Sequence, residues 1–214
     1  YSAWLWHQPQ PNMSDVDGHT HPLRNLAGFL DLAAEMGFYI IARPGPYIMA
    51  ETINEGVPPW VFSQYPQVAY IGPDGKPQNI VSYLHADFLK CVDDWYQAVF
   101  AVLTPRQITR GGSIIMTQLD NEMGMIQWVR NLVDINPDTL TRFADYLRAA
   151  YDAGLSARYP AVDLPAFLRE QMTDLQSAHA VAVMEDYRRF YRVYLRDYMV
   201  WLWERARAYG MDVP

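Results

Sequence analysis

Two short apolar runs constrain this chain more than any other feature. FYIIA at 38–42 sets Ile40 beside Ile41, and SIIMTQL at 113–119 sets Ile114, Ile115 and Met116 in a row. Neither alternates with polar residues. A strand written this way is covered on both faces, as in a parallel sheet with helices packed on either side. Each run follows a helical pattern. PLRNLAGFLDLAAEMG at 22–37 places Leu23, Leu26, Ala27, Leu30, Ala33 and Ala34 on one stripe, with Pro at its start and Gly at its end. Residues 83–103 space Leu84, Phe88, Cys91, Val92, Trp95, Val99 and Val102 three or four apart, until Thr104-Pro105 stops them.

YSAWLW at 1–6 reads as the end of an earlier strand. The order is then strand, helix, strand, long loop, helix, strand, which is a parallel α/β arrangement with right-handed crossovers. The loop is the Pro-rich stretch 43–82 with its turn GPDGKP, and loops of that length are usually functional or mobile. Asn136-Pro137 reads as the cap and first turn of a helix to about 154. A broken helix at 165–184 and a long final one at 186–209 follow, the last ended by Gly210. No internal repeat is visible. An α/β barrel and an open sheet both fit at this point.

Half of the residues are hydrophobic, enough for a packed core. A formal charge of −7 argues against nucleic acid as a partner, because phosphate binding needs a basic footprint. The lone Cys91 rules out an intramolecular disulfide and a cysteine-rich zinc site. No apolar run reaches the roughly 18–20 residues of a membrane span. Among five histidines the close pair His19/His21 lies in a polar loop and reads as surface, so no metal site is expected. The 7 Trp, 15 Tyr and 8 Phe are mostly core, but the same rings stack on the C–H faces of pyranoses. Composition does not separate the two uses.

The chemistry stands at the strand ends. RPGPYIMAETINEG follows the first run and carries Arg43, Glu51 and Glu55; LDNEMG ends the second with Asp120, Asn121 and Glu122. In α/β sheets and barrels, the carboxyl ends of strands hold the ligand. Carboxylates held near one another on a partly buried rim take unequal pKa values, which prepares one as a general acid. Glycoside hydrolysis uses such a pair, and a neighbouring Asn can hydrogen-bond a sugar hydroxyl. Taken residue by residue, Asp-Asn-Glu also fits a turn capping the next helix, Glu51 a loop surface, and Arg43 a structural ion pair.

FYIIARPGPYIMAE, then GVPPWVF, then GGSIIMTQLDNEMG closely resemble glycoside hydrolase family 35, the β-galactosidases of the (β/α)8-barrel clan. YSAWLWHQPQP is similar to that family's strand-2 segment, so the resemblance runs in order over residues 1–124. It implies Glu122 as the acid/base, Asn121 as a hydrogen-bonding partner of the substrate at its 2-hydroxyl, and Glu51, the backbone near Ala50, and Tyr1 as further sugar contacts. This chain departs from the pattern at Gln8 (usually Glu), Met49 (usually Cys), Thr52 (usually Trp) and Met123 (usually Tyr), which puts galactose specificity in doubt. NPDTLTRFADYLRAAYDAGLSARYP beyond residue 124 looks more like family 42.

The fold class implied is α/β, a partial (β/α)8 TIM barrel covering about strands 2 to 4 and their helices. Residues 1–214 are expected to form one incomplete catalytic domain, running from strand 2 through the helix before strand 5. The nucleophile, a Glu at the end of strand 7 in the resembled families, is expected beyond Pro214. Glu170, Glu185 and Glu204 fall in helix interiors and do not replace it. The function expected is a retaining exo-β-glycosidase, first of all a β-galactosidase acting on β-linked galactosides, which needs the rest of the barrel and no organic cofactor. An exo-β-glucosaminidase and a non-catalytic carbohydrate-binding barrel are the alternatives.

Overall fold

The structure is a computed structural model that describes residues 3–129, 133–159 and 162–214. In chain order the helices are α1 (Trp4–His7), α2 (Leu26–Glu35), α3 (Pro59–Gln64), α4 (Ala86–Leu103), α5 (Met125–Val129), α6 (Pro137–Tyr151), α7 (Leu155–Arg158), α8 (Leu164–Thr173) and α9 (Ala180–Ala208). The strands are β1 (Ile40–Gly45), β2 (Ala69–Ile71), β3 (Pro77–Val81) and β4 (Ile114–Leu119). The chain divides into two compact units, one of Tyr1–Pro66, Asp87–Met123 and Met199–Pro214, the other of Gln67–Ala86 and Gly124–Tyr198.

In the first unit β1 and β4 pair in parallel, with Ile40 opposite Ile114, Ala42 opposite Thr117 and Gly45 opposite Leu119. α4 is the crossover between them. It buries Phe88, Cys91, Val92, Trp95, Tyr96, Val99, Phe100 and Leu103, the expected stripe with Val102 left half-buried. Double coverage of the strands is incomplete. Ile114 is buried, but Ile41 is 55% and Met116 44% exposed, so one face of the pair is open. Residues 4–6 are not a strand. Ala3 carbonyl accepts from the N–H groups of Trp6 and His7, closing a helical turn, and the Trp4 indole donates to Gln8 Oε1 at 2.7 Å. Trp4 is buried and Trp6 is 39% exposed, and together with Leu5 they gave this turn a strand-like composition. The C-terminal segment also reaches the sheet, where Thr117 N–H donates to the Pro214 carbonyl at 2.8 Å.

The stretch 43–82 is not one loop. It holds the end of β1, α3, and in the second unit the antiparallel hairpin β2–β3, tied by Gly72 N–H to Lys76 carbonyl around the GPDGKP turn. Asp134 is the polar centre of that unit. Its buried carboxylate accepts from Ser82 Oγ at 2.7 Å, Thr139 Oγ1 at 2.7 Å and the N–H groups of Ile71 and Asn136. Asn136 caps α6 through Asp138 N–H and also donates to the Gln67 and Ala69 carbonyls, so one residue fixes both helix and hairpin. Tyr187, Tyr191 and Tyr194 stack along α9. The helix read at 165–184 is interrupted between α8 and α9, and α9 begins six residues before the expected 186. Among the described residues no helix is long and apolar enough to cross a membrane.

Candidate active site

Parallel pairing of β1 with β4 brings the two polar strand ends to one edge. Arg43 lies in β1, and Asp120, Asn121 and Glu122 follow β4 directly. Asp120 N–H donates to the Gly45 carbonyl at 3.2 Å, carrying the strand pairing one step into the polar triplet. At that point Arg43 Nη2 donates to Asn121 Oδ1 at 2.6 Å. Gln118 Nε2, from the last turn of the pleat in β4, donates to the same oxygen at 2.8 Å. The buried Asp120 accepts from Asn121 N–H at 2.6 Å, which tightens the turn that carries Glu122.

The backbone around these groups is unusual. Of the eight non-glycine residues with positive φ among the described residues, seven lie in two stretches: Met49, Ala50, Glu51, Asn54 and Glu55 after β1, and Asp120 and Glu122 after β4. Such conformations cost of order 1–3 kcal/mol each and cluster at ligand sites. The first stretch is closed on itself, with Ile48 and Met49 N–H groups both donating to the Glu55 carbonyl. Gly56, at φ +107, lies so close to Ile48 that a Cβ there would sit 2.7 Å from Ile48 Cγ1. Ala50, Glu51 and Glu122 are exposed, and neither glutamate side chain makes a hydrogen bond among the described residues. Tyr1 lies outside the described residues.

Packing beneath the rim holds it in place. Trp95 and Tyr96 of α4 donate to the carbonyls of Pro44 and Gly45. Burial, and then the Asp120 charge, pushes the Tyr96 phenol well above its usual range, so it stays a donor. Gln8 is buried and ties the N-terminal turn to α3. It accepts from Trp4, its Nε2 donates to the Pro11 carbonyl at 2.7 Å, and its own carbonyl accepts from the Trp60 indole at 2.8 Å. A carboxylate would lack the donor that Pro11 uses, which accounts for Gln here. Gln118 was not among the sequence-derived candidates. A glutamine inside a strand gives no signal until its neighbour is known.

Asp15, Asp17 and His19 also gather ligand-type atoms within 4.8 Å of one another. Asp15 is taken up by the chain itself. It accepts from the N–H groups of Gly18, His19, Thr20 and His21 and from the Thr20 hydroxyl. Burial would raise this carboxyl, but those bonds outweigh it and hold the group well below the ordinary carboxylate range.

Residues 1–156 match the family model for glycosyl hydrolases family 35. The exo-β-D-glucosaminidase of Thermococcus kodakarensis is 34% identical over 228 residues, covering 100% of this chain and 28% of that protein. The β-1,2-glucosyltransferase of Ignavibacterium album is 30% identical, covering 100% of this chain and 31% of that protein. The β-galactosidase of Mus musculus is 32% identical over 124 residues, 58% of this chain and 17% of that one. The crystal structure of a β-galactosidase from the psychrophilic Marinomonas ef1 superposes with a TM-score of 0.73 at 13% identity, over 99% of this chain and 30% of that one. This chain thus spans about three-tenths of the length of the relatives that match it throughout.

Proposed function

This chain belongs to glycosyl hydrolases family 35, and on that premise we propose that it carries the acid/base side of a retaining exo-β-glycosidase. Glu122 protonates the departing glycosidic oxygen while a glutamate outside these 214 residues attacks the anomeric carbon. Glu122 then removes the proton from the water that releases the sugar. Asn121 binds the sugar at position 2. Glu51, the backbone at Ala50, and Tyr1 bind its other hydroxyls. Terminal β-galactosides are the leading substrate class.

The observation that carries this reading is the Arg43–Asn121 hydrogen bond at 2.6 Å. It joins the ends of two adjacent parallel strands next to an exposed glutamate at φ 51, where a barrel glycosidase needs its proton donor. The open apolar face at Ile41 and Met116 supports the wider reading of a partial (β/α)8 barrel completed by further strands. One observation favours a second reading, an exo-β-glucosaminidase. The relatives of that name match the whole chain, at 34% and 31% identity, whereas the mouse β-galactosidase matches 58% of it.

The test is Glu122→Gln in the full-length protein, assayed on aryl β-galactosides and β-glucosaminides of graded leaving-group pKa. General acid catalysis contributes about 10²–10⁴-fold. Activity should therefore fall by that order for poor leaving groups and much less for activated ones. Equal activity of variant and parent on a poor leaving group would remove Glu122 from the role.

A further inference from the structure

We propose that Gln118 is a positioning residue that locks Asn121 as a hydrogen-bond donor toward position 2 of the terminal sugar, so that the site takes glycosides whose C2 group offers a lone pair and turns away a 2-ammonium. The inference rests on the glycosidase reading above and deepens it.

Arg43 fixes which way the Asn121 amide lies. A guanidinium has five N–H donors and no acceptor, so the Asn121 atom 2.6 Å from Nη2 must be the amide oxygen. Gln118 Nε2 donates to that same oxygen at 2.8 Å, which engages its second lone pair. Turning the Asn121 amide over would set its NH2 group against two donors at once. With Oδ1 held from two sides, Nδ2 is the part of the amide left to meet a ligand, and it can donate but not accept. Gln118 sits within β4, whose pairing with β1 fixes where its side chain begins, and Arg43 lies in β1 itself. Neither donor rides on a loop.

A C2 hydroxyl accepts from such a donor, and so does the carbonyl of a 2-acetamido group. An ammonium has three donors and no lone pair. Facing Nδ2, it meets a donor and carries its own charge toward the Arg43–Asn121 pair. The lock therefore bears directly on the choice between galactoside and glucosaminide, and favours the 2-hydroxy sugar.

The experiment uses the full-length protein with 4-nitrophenyl β-glycosides bearing 2-hydroxyl, 2-deoxy or 2-amino groups, in the galacto and gluco series. It is run at about pH 5, where an amine keeps its proton. Gln118→Leu removes one donor; the isosteric Gln118→Glu replaces it with an acceptor that draws the Asn121 NH2 group toward itself. Taking kcat/KM for each substrate relative to the parent protein cancels intrinsic reactivity. We expect the parent to prefer 2-hydroxy over 2-ammonium glycosides. In Gln118→Leu the advantage of 2-hydroxyl over 2-deoxy should shrink about three- to tenfold, the scale of one hydrogen bond. In Gln118→Glu the ratio of 2-ammonium to 2-hydroxy turnover should rise. A merely structural glutamine would slow all substrates alike, and that result overturns the proposal, as does a parent that prefers the 2-ammonium sugar. If Gln118→Leu does not fold, the isosteric Glu variant decides by its substrate ratio. Should the full-length protein cleave none of these glycosides, the glycosidase reading itself falls, and this inference with it.

Discussion

The Trp95 indole N–H donates to the Pro44 carbonyl at 2.9 Å, one residue after Arg43 and at the point where β1 turns into the rim. Tyr96, next in α4, donates its hydroxyl to the Gly45 carbonyl at 2.8 Å. Two adjacent side chains of the crossover helix thus hold the end of the strand that positions Arg43. Trp95→Phe leaves the buried Pro44 carbonyl without its donor and opens space beside it. We expect a loss of about 2–4 kcal/mol in urea unfolding. Tyr96→Phe keeps the ring and should cost about 1–3 kcal/mol. A Trp95→Phe protein as stable as its parent would show that the bond is incidental.

Gln8 stands where the pattern this segment resembles has Glu, so Gln8→Glu is an informative change. At neutral pH the new carboxylate would face the Pro11 carbonyl, now 2.7 Å from Nε2, with no proton to give. The variant should be about 1–3 kcal/mol less stable at pH 7. Burial against a carbonyl raises the carboxyl pKa in the fold. The penalty is therefore present above the unfolded value and fades as the pH falls toward about 4, where a protonated Glu can donate. Unfolding curves for parent and variant at pH 7 and pH 4 check this, and a pH-independent difference refutes it.

Asp15 has the opposite linkage. Its folded carboxyl is held below the ordinary range by the Thr20 hydroxyl and the loop N–H groups, in spite of burial. Its contribution is therefore full above the unfolded pKa and is lost as the pH falls through the folded one. Asp15→Asn sets an NH2 group against the Thr20 and His21 donors and should cost about 1–3 kcal/mol at pH 7. The gap between parent and variant should narrow below about pH 4. Denaturation midpoints across pH 3–7 measure it; a gap that widens in acid would contradict the assignment.

Gly112 precedes β4 in a place with no room for a side chain. A Cβ there would lie 2.0 Å from the Arg106 carbonyl oxygen, which is backbone and does not swing away. Its N–H also donates to the Gln107 carbonyl at 2.9 Å, so the turn is fixed from both sides. Gly112→Ala should shift the start of β4 and destabilise by about 3 kcal/mol or more. Gly111→Ala next to it meets no atom within 4 Å and suffers from its φ of +84, so it should cost less. The two midpoints, compared side by side, test the steric account.

The sheet was legible because Ile40–Ile41 and Ile114–Met116 break the alternation of a one-sided strand. The α4 face was legible because its apolar spacing is regular over eighteen residues. Residues 4–6 misled because Trp and Leu suit a helical turn as well as a strand, and the Trp4–Gln8 bond that decides it joins side chains. The hairpin β2–β3 was hidden by prolines and by strands of three and five residues, too short for any period to emerge. Asp134 could not be read at all. Its partner Ser82 lies 52 residues away in sequence. At the site, Arg43 and Asn121 could be read as strand-end residues, but their adjacency needed the two strands to be neighbours, and the role of Gln118 depends on which amide atom faces which.

The left-handed turns at 49–51, 54–55, 120 and 122 restrict what this rim can become. At a positive φ only glycine is at ease, asparagine and aspartate are tolerated, and β-branched residues are effectively barred. A β-branched substitution there taxes the backbone before any sugar is met. A lineage moving from one glycoside to another would find that class of side chain closed at these seven positions. It would be steered toward adjacent sites of ordinary backbone, such as Thr52 at φ −92 or Gln118 within β4, where a new side chain can be tried without rebuilding the turn.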